Sequence, residues 1–94
     1  MSYATVSNWT TTEWNEELEG IARGTFVPLI MSVGASRVQM IRTGEHSFSV
    51  VTEYADEAAA TAAQEKIAEI RAKATSELPM TMSGTASGVV FAGS

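Results

Sequence analysis

The sequence predicts an α+β domain whose elements run β-α-β-β-α-β, and three observations carry that prediction. Hydrophobic spacing switches from a period of two to about 3.6, returns to two, then repeats the cycle. Two alternating stretches, Arg37 to Thr43 and Ser47 to Tyr54, flank a short polar turn containing Gly44. An Ala-rich run of helical spacing from Glu57 is stopped by Pro79, after which alternation resumes. This order is the split-βαβ, or ferredoxin-like, arrangement: a four-stranded antiparallel sheet with two helices on one face, as a single domain over residues 1–94.

In chain order, Tyr3 to Trp9 alternates, and the parity places Ala4 and Val6 toward the helices and Tyr3, Thr5, Ser7 and Trp9 away from them. Thr10 to Thr12 offer capping hydroxyls to a helix starting near Glu13, where Glu16 and Glu17 suit the positive end of the helix dipole. Trp14, Leu18, Ile21, Ala22, Phe26, Leu29 and Val33 share one arc of that helix. Gly20, Gly24 and Pro28 interrupt it, so a kink is expected between Gly24 and Pro28, serving either a bend or close approach of a partner or ligand. Gly34 closes it as a C-cap.

The hairpin comes next, with Thr43 to His46 as its turn; Val38, Met40, Phe48, Val50, Thr52 and Tyr54 point to the helices. Asp56 caps a second helix from Glu57 to Leu78, with apolar positions Ala59, Ala60, Ala63, Ile67, Ile70, Ala74 and Leu78 and a solvent-side Glu69–Lys73 pair. The tail reads as a strand from Met80, with Met80 and Met82 toward the helices. A bend through Gly84 to Gly88 and an extra edge segment Val89 to Phe91, able to pair across a dimer, complete it.

Composition narrows the function classes. The chain carries a net charge of −5 with only 6 Lys and Arg, scattered along it, which argues against a nucleic-acid partner. Zero cysteines removes disulfides, thiolate nucleophiles and Cys-based metal centres. Met1 to Trp9 has neither a basic leader nor an apolar core, and no 18-residue apolar run exists; a soluble, cytoplasmic chain with no membrane partner is expected. A domain of this length buries only roughly 60–65% of its unfolded surface, so a second copy would add useful burial.

The sheet face away from the helices is expected to hold Tyr3, Thr5, Ser7, Trp9, Gln39, Ile41, Ser49, Val51, Glu53, Thr81 and Ser83. That mixture is too apolar for water and too polar for a dry core, and it suits a sheet facing its own copy across a partly polar space. Glu53 is the candidate catalytic group, because a carboxylate desolvated there would hold a proton more readily and could act as a base; the alternative is a pair with Arg37 or Arg42 of either protomer, or a place at the sheet margin. Tyr3, Trp9, Gln39 and Glu53 are the candidate ligand-binding residues. His46 falls in the hairpin turn, and the five Met residues read as core packing, so no metal site and no cofactor are expected. No GxGxxG, P-loop, HExxH or GxSxG sequence is present.

The βαββαβ order over nearly the whole chain, the long first helix and the segment SVVTEYAD, Ser49 to Asp56, leading into an Ala-rich helix resemble the dimeric α+β barrel superfamily, which includes antibiotic-biosynthesis-monooxygenase-like proteins. The resemblance implies a homodimer with facing sheets and a small cavity between them. Some haem-degrading members use an Asn near the end of the first strand, where this chain has Asn8, placed by parity on the helix side; the second helix here has neither the His nor the Trp that such enzymes use to hold haem. Two functional readings are open. One is a homodimeric protein binding a small ligand between its sheets. The other is a cofactor-independent monooxygenase-like or isomerase-like enzyme acting on a small aromatic or polyketide-type substrate.

Overall fold

A computed structural model of the chain describes residues 2–93. Four antiparallel strands, β1 (Tyr3–Thr11), β2 (Arg37–Gly44), β3 (Ser47–Tyr54) and β4 (Met80–Val89), form one sheet of order β2-β3-β1-β4. Between β1 and β2 lie α1 (Glu16–Ile21), a π-helical turn (Ala22–Phe26) and α2 (Val27–Met31); α3 (Glu57–Glu77) joins β3 to β4. The fold is the expected α+β, ferredoxin-like one, with α2 against β2 and α3 against β1, β3 and β4.

The first helix begins later than its threonines suggest. Asn15 is the cap, its side-chain oxygen accepting the Leu18 N–H at 2.8 Å, while the Thr11 hydroxyl lies 2.8 and 3.0 Å from the Glu13 and Pro79 carbonyls. Trp14 therefore sits in the loop ahead of α1. The expected kink takes the form of a widened turn, in which the Val27 N–H reaches the Ala22 carbonyl. Pro28 comes directly after it, at the start of α2, where its missing N–H costs little. One extra residue in the turn advances the helical phase of α2, so that Ile30 is buried and Leu29 and Val33 only partly so. A Cβ added at Gly20 or Gly24 would meet nothing within 4 Å, so no close approach within the chain requires glycine there. Gly34, at φ 106°, takes the left-handed conformation that ends the helix.

Asp56 caps α3 as expected, accepting the Ala59 N–H at 2.8 Å, and Ala60, Ala63, Ile67, Ile70 and Ala74 bury its inner stripe. Lys73 pairs with Glu77 at 3.1 Å rather than with Glu69. β4 is a single strand with a bulge opposite Asn8 and Trp9 that runs to Val89, after which the Val90 N–H bonds the Ser2 carbonyl and Phe91 is 90% exposed.

The parity of β1 is the main correction. Trp9 is 5% exposed within the core and Tyr3 packs against it, so Tyr3, Thr5, Ser7, Trp9 and Thr11 face the helices. Ala4, Val6 and Asn8 lie on the open face, opposite Glu53, Val51 and Ser49. The cause is size: an indole and a phenol each bury far more apolar surface than Ala or Val, and two large rings outweigh the neighbouring small residues in choosing the face. The serine and threonine carried inward with them are accommodated, with the Trp9 indole N–H donating to the Ser7 hydroxyl at 2.8 Å.

Candidate functional site

The expected site residues are not brought together. Glu53 and Gln39 stay on the open face, where Glu53 lies opposite Ala4 and Arg37 across neighbouring strands and Gln39 opposite Val51. Tyr3 and Trp9 are on the other side of the sheet, with the Tyr3 hydroxyl 3.3 Å from that of Ser87. Among the described residues Glu53 forms no ion pair, and Arg42, one of its two expected partners, is on the helix side. Asn8 is exposed on the open face with its Oδ1 accepting from the Ser49 hydroxyl at 2.6 Å, contrary to its expected place.

An aromatic cluster forms instead beneath the first helix. Strand register sets Arg42, Phe48, Trp9 and Met82 in one row across the sheet. The Trp9 and Phe48 rings are near-parallel, 6.1 Å apart at 7°, and Trp14 meets Phe48 edge-on at 5.9 Å and 69°. The Arg42 guanidinium lies 4.3 Å from the centre of the Trp14 ring, a cation–π contact, while its Nε and Nη2 donate to the Gly44 and Glu45 carbonyls at 3.1 and 3.0 Å. The Trp14 indole N–H donates to Glu19 Oε2 at 2.7 Å, and Arg23 approaches the same carboxylate at 3.8 Å. The two indoles are thus oriented by polar neighbours as well as by packing.

Beside this cluster is a cleft of about 410 Å³ between the first helix and the sheet, with Trp14, Arg23 and Arg42 at its rim and Leu18, Ala22, Met40, Phe48 and Met80 as its walls. The same five wall residues also line a smaller space of about 60 Å³ deeper under α3, where Ser7, Thr52 and Arg71 join them. The inner space has room for roughly two waters, whereas the outer one falls within the range of small-molecule sites, about 300–1,000 Å³. Both lie on the helix side of the chain's own sheet, the larger reaching Ile41 at the β2 edge. Near the inner end Tyr54 is 2% exposed, and burial raises its phenol above the ordinary value near 10, with the positive charge of Arg71 opposing in part.

Trp14, Arg42 and Arg71 were not among the expected site residues. Arg42 shares the parity of Val38 and Met40, a signal for the helix side that was present in the strand. Trp14 carries no such signal, because its position depends on where the helix begins. Among the described residues no cluster of three or more His, Cys, Asp or Glu is placed to hold a metal ion, and no helix is long and apolar enough to cross a membrane.

No protein-family model matches the chain, and no curated protein matches it. Solved structures do. A dimeric ferredoxin-like protein from an uncultured marine organism superposes with a TM-score of 0.70 at 17% identity, covering 99% of this chain and 97% of that one. A protein of unknown function from Nitrosomonas europaea gives 0.70 at 18% identity, over 99% and 92% of the two chains. SnoaB, a cofactor-independent oxygenase from Streptomyces nogalater, gives 0.71 at 18% identity, over 98% and 95%. The chain has the ferredoxin-like fold of these proteins.

Proposed function

We propose that the protein is a homodimer that binds a small planar aromatic molecule in the helix–sheet cleft of each protomer. The observation that carries this reading is the aromatic cluster at a cleft of about 410 Å³: Phe48 and Trp14 form part of its lining, and Trp9 backs Phe48 at 6.1 Å. A flat ring system gains both apolar burial and stacking there. Dimerisation through the open sheet face is supported by its apolar residues Ala4, Val6, Ile41 and Val51 and by the dimeric description of the marine protein. Ligand binding between the sheets, through Gln39 and Glu53, is the less favoured location, because Tyr3 and Trp9 face away from it.

The test is nuclear magnetic resonance titration with the neutral probe 2-naphthalenemethanol. The two indole N–H signals and the amides of Ala22, Met40 and Phe48 are expected to shift at submillimolar probe, and Ala22→Phe, which fills the cleft, is expected to abolish the shifts while circular dichroism stays unchanged. Shifts confined to Gln39, Val51 and Glu53 would place the ligand on the open face and overturn this reading.

A second reading, cofactor-independent oxygenation of such a molecule, is favoured by the likeness to SnoaB. Oxygen uptake with 1-naphthol above the protein-free rate would support it.

A further inference from the structure

We infer that the cleft selects ring systems carrying an anionic group, a carboxylate or phenolate, and that Arg42 is the residue that reads it. This rests on the ligand-binding reading above and adds the charge of the ligand. The chain is acidic overall, at −5, yet two of its four arginines, Arg23 and Arg42, border the cleft, and a third, Arg71, lines the smaller space beneath α3. The fourth, Arg37, is on the open face opposite Glu53. Against these three stands one lining carboxylate, Glu19, and it is already engaged by the Trp14 indole N–H at 2.7 Å and by Arg23 at 3.8 Å.

Arg42 differs from a solvated surface arginine in being held in place. Two of its N–H groups are fixed on the Gly44 and Glu45 carbonyls, and its guanidinium rests on Trp14. Of the five N–H donors of a guanidinium, the remaining three have no protein acceptor among the described residues, and no carboxylate pairs with it. A donor fork positioned in advance, at the edge of an apolar slot, loses little side-chain entropy on meeting an anion. A ring inserted along Phe48 would leave a ring-bound carboxylate at the rim, within the field of Arg42, while Arg71 adds positive charge at the smaller space that shares the Phe48 wall. A cationic ring would meet the same arginines unfavourably.

The test compares 2-naphthoate with 2-naphthalenemethanol by isothermal titration calorimetry in low salt. Wild-type protein is expected to bind the carboxylate about tenfold tighter, as one charge-assisted contact would give. Arg42→Gln should bring the two affinities within about twofold to threefold of each other, the comparison between probes in the same variant cancelling any effect of losing the Trp14 contact, and Arg71→Gln should narrow the gap less. Arg37→Gln, equal in charge change but off the cleft, should keep it. Added sodium chloride should reduce the preference. Equal affinities in the wild type, or the same loss in Arg37→Gln as in Arg42→Gln, overturn the inference while the ligand-binding reading stands. Binding of neither probe overturns both. If Arg42→Gln loosens the hairpin turn, Arg42→Lys, which keeps the charge but not the fork, should retain part of the preference.

Discussion

Burial at Tyr54 gives folding a proton linkage that a phenylalanine would lack. Its phenol is raised by desolvation, so the folded chain keeps the proton over a window above pH 10 in which the unfolded chain has lost it. The stabilisation is therefore fully present below about pH 10 and is lost as pH rises through the folded value. Urea unfolding from pH 9 to 11.5 should show stability falling in the wild type and a flatter curve in Tyr54→Phe; parallel curves would remove Tyr54 as the cause. At this scale the sequence is legible where one residue's size decides the outcome. Counting apolar positions along β1 favours Ala4 and Val6, but weighting them by area favours Tyr3 and Trp9, and the folded chain obeys area. Arg42 was readable from strand parity alone.

Among the elements, α3 was the most legible, because its cap, apolar spacing and proline stop agree over 21 residues. The first helix was legible in place but not in form. Helical spacing locates the interruption between Gly24 and Pro28, but whether it becomes a kink or a widened turn depends on which residues the sheet buries, here Phe26 and Ile30. The glycines there are not held by sterics, since a methyl group at Gly24 would meet open space. Gly24→Ala should therefore stabilise the protein by about 0.5–1 kcal/mol, roughly 2–8 °C in Tm for a domain of this size, through a less flexible unfolded chain. Calorimetry checks this, and a loss of more than about 1 kcal/mol would show that the turn needs glycine's freedom. The cleft was not legible, because it requires the widened turn and the Trp14 loop together, and neither has a sequence period.

For the whole molecule, the open sheet face is where self-association is expected, through Val6 and Val51, which face each other across β1 and β3. Sedimentation should give twice the 10.0 kDa chain mass at micromolar concentration, and Val51→Lys, which puts a charge at the centre of that face, should return it to one chain. A wild-type monomer would overturn the dimer. The β1 parity has one more consequence. With the rings of Tyr3 and Trp9 turned inward, the sheet partitions the proposed dimer face from the proposed ligand cleft except at the β2 edge, where Ile41 belongs to the open face and also lines the cleft. Linkage between cleft occupancy and dimer assembly then runs through that edge residue, so a shift in a ligand's dissociation constant on dilution through the dimer's own should be lost in Ile41→Ala.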